Sequence, residues 1–341
     1  GVRRFNPGDL SNFISTEPMF WYSEFTGDSS FVPMNNSLNQ SLMAKLAFDM
    51  IKNVRASLLY TRNDDEWHSY SHTWKYNPDG RATSYRTSDL VSFELNHMIS
   101  QKLFYEAKLS YLDNFNGYYL FRNPVDSRYL HDKYLTNDGP GFYTGGQSKS
   151  HSLRWMKDTN AKFDVTWQAT KNHSLKSGLL YTIHDLDQQS RTIRNKYYGT
   201  DLEADLYEPV VYSDSSVYSD IYTVKPTELS AYIQDKIEYD EMVINFGLRY
   251  DYFDPNTTYP SDLRNPANQL VFADSLNRKT DYLDAKPQVQ ISPRLGLSYQ
   301  LSNAALLHFS YGHFFQMPPL YAIYDNHSFQ VSPSDYATTM G

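Results

Sequence analysis

Residues 242–253 read MVINFGLRYDYF, and they sort into two faces. Met242, Ile244, Phe246, Leu248, Tyr250 and Tyr252 share one; Asn245, Gly247, Arg249 and Asp251 share the other. Successive side chains of an extended chain point to opposite sides, so this pattern predicts a strand with one apolar face. The opposite face carries charge in mid-strand. A dry sandwich core does not accept unpaired charges, whereas a wet lumen does.

The same unit recurs, each time as two alternating arms around a short polar break. The units lie near residues 38–62, 87–115, 158–185, 228–253 and 291–316. Arms of about 13 residues at about 3.3 Å each measure about 43 Å. Tilted by about 45°, such an arm rises about 30 Å, the thickness of a hydrocarbon core. Strands of globular proteins centre on about 5–6 residues. Breaks inside a unit are short, but connections between units are long, near residues 63–84, 116–150, 188–222 and 254–288. Loops beyond about 12–15 residues are out of place in a compact domain. Short turns at one end and long loops at the other are the habit of outer-membrane barrels. Aromatics make up 16% of the chain, with 30 tyrosines. Several end the arms (Tyr60, Tyr111, Trp167, Tyr181, Tyr250, Tyr252, Tyr299), where interfacial girdles belong.

The expectation is therefore an all-β chain: an antiparallel transmembrane β-barrel segment of about ten long strands, with short periplasmic turns and long extracellular loops. A soluble propeller or solenoid is the plainer alternative. The uneven spacing of the units and the lack of a recurring blade motif count against it. No run of about 18 apolar residues exists, so no transmembrane helix is expected. There is no cysteine, which excludes disulfides and thiolate chemistry. The net charge of −8 argues against nucleic acid as a partner.

Three pieces carry a family resemblance. SPRLGLSY (292–299) followed by HFSYGHFFQMPP (308–319) looks like the barrel of TonB-dependent outer-membrane receptors. SAYIQD (230–235) followed by NFGLRYD (245–251) resembles a hairpin of such receptors, and FYTGG (142–146) one of their outer loops. The nearest resemblance is to the Bacteroidota-type group whose plug follows a carboxypeptidase-regulatory-like domain. It implies a 22-stranded barrel around an N-terminal plug, in the outer membrane of a Gram-negative bacterium. It also implies TonB-energised uptake of a scarce ligand such as a siderophore, cobalamin, oligosaccharide or peptide. Its expected partners are outer-membrane lipid and lipopolysaccharide, TonB and the plug, and the nutrient. No plug, TonB box or terminal aromatic strand is visible, so the chain reads as an internal slice, residues 1–341, of a longer barrel. A passive porin or a surface adhesin is the alternative, and an outer-membrane protease a more distant one.

Candidate contact residues fall in the expected outer segments. Asp64, Asp65, Glu66, His68 and His72 crowd together in DDEWHSYSH, a set able to bind a divalent metal. A solvated loop tip is the plainer reading, so no metal and no cofactor is expected. Trp21, Trp67 and Trp74 could stack on a sugar or peptide, or pack loops against one another. Asp201 and Asp205 belong to an acidic run over residues 200–220 without Lys or Arg, which could attract cations or bridge lipopolysaccharide through divalent ions. For catalysis, His313 and Ser310 are a tempting pair, but no nucleophile elbow, P-loop or zincin motif is present. No enzyme is expected. Lys108, Glu106, Asn245, Arg249 and Asp164 are expected to line the lumen.

Overall fold

The computed structural model describes residues 31–135, 141–143, 145–214, 216–261 and 282–325. Its body is one antiparallel sheet of eleven strands. In chain order they are β1 (Asn36–Ile51), β2 (Val54–His68), β3 (Thr83–Ser100), β4 (Leu103–Tyr119), β5 (Ser150–Gln168) and β6 (His173–Thr192). Then come β7 (Ser219–Val224), β8 (Thr227–Tyr239), β9 (Met242–Asp254), β10 (Gln288–Ser302) and β11 (Ala305–Gly312). Neighbours in sequence are neighbours in the sheet, a meander closed at one end by tight turns. In the first of these turns Asn53 adopts φ 65°, a left-handed conformation that asparagine tolerates. Strands β7 and β8 are in effect one strand. Leu186 pairs with Val224 and Ile183 with Thr227, the same register on both sides of Lys225 and Pro226. Pro226 has no N–H to give the ladder, yet its carbonyl still accepts from the His184 N–H at 3.0 Å.

The arms run further outward than the alternation suggested. β2 continues through Asn63–His68, which the sequence reading placed in a loop. β5 and β6 are 19 and 20 residues long. At the other end of the chain β11 stops at Gly312, short of Phe314 and Phe315. Alternation in the apolar band is enforced by lipid. Beyond it both faces meet polar surroundings, so the strand continues without an apolar period to announce it.

One face of the wall is apolar and exposed. Across it run register partners such as Leu95, Ala107, Phe163, Leu179, Ala231, Tyr250 and Ile291. On β9 this face extends from Met242 to Tyr252, about 11 residues, which at about 45° rises about 25 Å, the height of a barrel's apolar band. A row of charges ends it. Arg62, Asp89, Asp113, Lys157 and Asp185 are consecutive register partners on that same face, and Lys225 completes the row. They pair along it: Arg62 with Asp89 at 3.2 Å, Lys157 with Asp113 at 4.0 Å and Lys225 with Asp185 at 3.1 Å.

The opposite face is polar and contains Lys108, Glu106, Asp164, Asn245 and Arg249, as expected. It is tied crosswise. Tyr232 on β8 reaches over β6 and donates its hydroxyl to Asp164 on β5 at 2.8 Å. It passes above Gly178, where a Cβ would overlap both the Tyr232 ring and the Asp164 carboxylate. Lys162 holds the same carboxylate at 2.6 Å.

Two outcomes follow for the wall. Phe246→Arg should abolish insertion, because a cation at the lipid midplane costs about 2–4 kcal/mol, whereas Asn245→Arg should be tolerated. Heat-modifiable mobility of outer-membrane fractions reads the difference, and equal tolerance would reverse the assignment of faces. Gly178→Ala should lower stability by about 1–3 kcal/mol through overpacking. Tyr232→Phe, which only removes a hydrogen bond, should cost about 1 kcal/mol in the same denaturant titration.

Candidate functional site: a covered cavity on the polar face

After β11 the chain turns back across the polar face. Residues 313–319 are irregular and lead into a short helix, Leu320–Tyr324. Pro318 and Pro319 cannot extend the ladder, so the strand yields to a strap. Tyr324 anchors it. Its ring, 1% exposed, fills a cluster with Leu186, Tyr222 and Val224. Its hydroxyl donates to the Pro255 carbonyl at 2.6 Å. Burial pushes the phenols of Tyr324 and Tyr222 up, Tyr222 to about 12.

Beneath the strap lies a cavity of about 670 Å³. Its floor is the polar wall and its roof is Phe315, Met317 and Pro318. The wall brings together groups that lie far apart in sequence. His184 Nδ1 meets Asp158 Oδ1 at 2.6 Å, and its Nε2 faces Glu228 Oε1 at 3.6 Å. Arg249 pairs with Asp251 at 2.8 Å, and Ser230 donates to that carboxylate at 2.7 Å. Arg154 lies at the outer rim, its guanidinium 4.8 Å from the Tyr321 ring of the strap. A second cavity, of about 560 Å³, continues from Arg154 past Gln188, Ser152, Ser190 and Thr192. A concave site of this size with a few convergent polar groups suits a small ligand.

A model of the "TonB dependent receptor-like, beta-barrel" family matches residues 24–341. The chain belongs to this family. Its members are transporters, not enzymes. Several solved structures share the fold. The siderophore receptor PiuA from Acinetobacter baumannii is 12% identical with a TM-score of 0.50, over 82% of this chain and 42% of that one. The copper transporter OprC is 12% identical with a TM-score of 0.51, over 84% and 39%. The FrpB iron transporter from Neisseria meningitidis, F5-1 variant, is 14% identical with a TM-score of 0.50, over 90% and 40%. At such identities the likeness is one of fold, and the chain spans well under half the length of each. No curated protein matches it.

In this receptor wall the polar face is the lumen, and the strap is an outer loop folded inward. The residues singled out in the sequence lie elsewhere. Trp67 stands on β2 between Ser37 and Ser84, not in a loop. Trp74 is half-buried against Tyr143, ring centres 4.5 Å apart, so it joins the β2–β3 and β4–β5 loops. Asp201 and Asp205 are exposed. Trp21 lies outside the described residues. The DDEWHSYSH group does not converge: Asp64 pairs with Arg62 on the lipid side, and Asp65 with Arg86 on the lumen side. Among the described residues no cluster suited to a metal forms. His313 contacts Tyr311 at 2.7 Å, not Ser310.

The outer loops form one layer. Asn77, fully buried, donates to the Gly146 carbonyl at 2.9 Å. Gly146 has φ 75°, and a Cβ there would strike the Leu135 backbone. Lys149 joins the β4–β5 loop to the β6–β7 loop. It donates to the Leu130 carbonyl and to the Tyr207 hydroxyl, the latter at 2.6 Å, with Asp132 at 3.7 Å. Burial pulls the ammonium down to about 8, against the pull of Asp132.

That shift has a sign. The undocked loops hold the Lys149 proton up to its ordinary range near 10.4, so docking should strengthen as pH rises above about 8. Burial also pushes Tyr129 up to about 12 and raises Tyr207. Docking should therefore weaken again above about pH 10, where undocked phenols lose their protons. Hydrogen exchange of residues 194–214 should show maximal protection between about pH 8 and 10. Lys149→Met should remove the rise on the acid side of that window.

Proposed function

We propose that this chain is part of the barrel of a TonB-energised receptor, which captures a scarce nutrient at the surface of a Gram-negative bacterium and passes it across the outer membrane. The observation that carries the reading is the covered cavity on the lumen side, walled by Asp158, His184, Glu228, Arg249 and Asp251 and roofed by an inward-folded outer loop. A ligand entering from outside meets the loop layer first, where Asp201 and Asp205 stand free in solvent and Trp67 tops β2. It then reaches the cavity. A plug domain and TonB are the proposed partners for release inward. Lipid and lipopolysaccharide are the proposed surroundings of the apolar face and its charge row. The cargoes of the fold neighbours, a siderophore, copper and iron, favour a metal complex as the nutrient, alongside cobalamin, oligosaccharide or peptide. The pieces SPRLGLSY, NFGLRYD and FYTGG support a Bacteroidota-type receptor.

Deletion of the gene should slow growth when one such nutrient is limiting, and deletion of tonB should reproduce the defect without adding to it. Growth curves on iron-, cobalamin- and glycan-limited media read this. Normal growth on that nutrient after deletion of tonB alone would instead favour a passive porin.

A further inference from the structure

One charged group of the cavity stands apart from the pairs around it, and its geometry points to what it binds. Asp158 and Glu228 flank His184, and Asp251 is held by Arg249. Each carboxylate thus has a cationic or imidazole neighbour. Arg154 has none: no carboxylate among the described residues stands within ion-pair distance of it. Its surroundings fix it in one orientation. The Nε–H donates to Gln188 Oε1 at 2.6 Å, and the Gln188 amide reaches Ser152 Oγ at 3.3 Å. One face of the guanidinium lies against Tyr321. A guanidinium has five N–H donors in a rigid plane. With Nε engaged and a face stacked, the four N–H bonds on Nη1 and Nη2 remain, and no acceptor among the described residues meets them. Arg154 lines both cavities.

A stacked guanidinium with a free edge is the arrangement that takes a carboxylate or phosphate by two parallel hydrogen bonds. Desolvation by the strap strengthens such a bond. The adjoining lining sets the neutral groups of Ser152, Gln188, Ser190 and Thr192 beside Arg191, Asp220 and Asp325, so it suits a ligand whose polar body carries hydrogen-bond donors as well as the oxyanion. We propose that Arg154 is the anion anchor of this lumen. The ligand class is a polar molecule bearing an oxyanion, carboxylate or phosphate, that docks on the Nη edge while Tyr321 of the strap covers the guanidinium face. This rests on the lumen being a ligand passage and specifies what the passage recognises.

The test uses the full-length receptor purified in detergent, with radiolabelled citrate and inorganic phosphate as probes in equilibrium dialysis and glycerol as the neutral control. Wild type should bind at least one of the anions, and the tighter of the two names the oxyanion. Arg154→Ala should weaken that binding by about tenfold or more. Arg154→Lys, which keeps the charge and loses the fork, should recover only part of it. Lys196→Ala, on an exposed loop ion pair with Glu208, should bind like wild type. Heat-modifiable mobility confirms that each variant is folded. Binding of neither anion above glycerol, or equal affinity in wild type and Arg154→Ala, overturns the proposal. Full recovery by lysine overturns the two-bond geometry. A receptor that binds no anion yet still requires TonB for growth keeps the transport reading and loses only this one.

Discussion

The peptide hydrogen bond governs this structure. In hydrocarbon no water satisfies a backbone N–H or C=O, so every group of the spanning segment needs a partner on a neighbouring strand. Ladders therefore run from the turns through the apolar band between β1 and β10, and the bulges next to the turns in β1, β3 and β10 stay at its rim, while β11 ends inside the band opposite Arg294, where the Pro293 carbonyl accepts from the His313 N–H at 3.1 Å. Even Pro226, which breaks the ladder for one N–H, lies at the outer limit of the band beside Lys225. Among the described residues β1 pairs only with β2, and β11 only with β10. Both edges expose backbone groups that a membrane leaves unsatisfied, so the wall is complete only with further strands alongside.

Once the ladder is set, the two faces solve different solvation problems. The lipid face must be apolar for about 25 Å and no further. The row from Arg62 to Lys225 marks the end of that requirement, with opposite charges neutralising one another on adjacent strands. The lumen face can hold ionised groups, but each then needs a partner in a space poorer in water than bulk solvent. Tyr232 bridging to Asp164 over Gly178, and His184 between two carboxylates, are how the wall meets that need. The glycine is essential to the first: only its missing Cβ lets a side chain cross an intervening strand.

The strap and the loop layer belong to a third regime, above the membrane, where ordinary burial rules return. Tyr324 and Lys149 are each desolvated, and each is tied to a carbonyl. Trp74 against Tyr143 and Asn77 against Gly146 lock neighbouring loops together. Val217 and Tyr218 of the β6–β7 loop line the outer cavity beside Arg154.

The period-two alternation was legible along the chain because lipid and lumen impose it on every spanning strand. From it came the all-β class, the hairpin units, the membrane assignment, and the lumen orientation of Lys108, Asp164, Asn245 and Arg249. It failed at Asn63–His68. There no lipid acts on the strand, so hydrophobicity no longer reports direction. The cavity was not legible at all. Arg154, Asp158, His184, Glu228 and Tyr321 look like unrelated polar or aromatic positions in sequence. Strand register sets Asp158, His184 and Glu228 beside one another, and only the backward fold of the strap brings Tyr321 onto Arg154. Local pattern determined which way each side chain points, because that depends on the residue's own strand. Which side chains meet depends on pairing between strands far apart in sequence, and only the tertiary structure decided that.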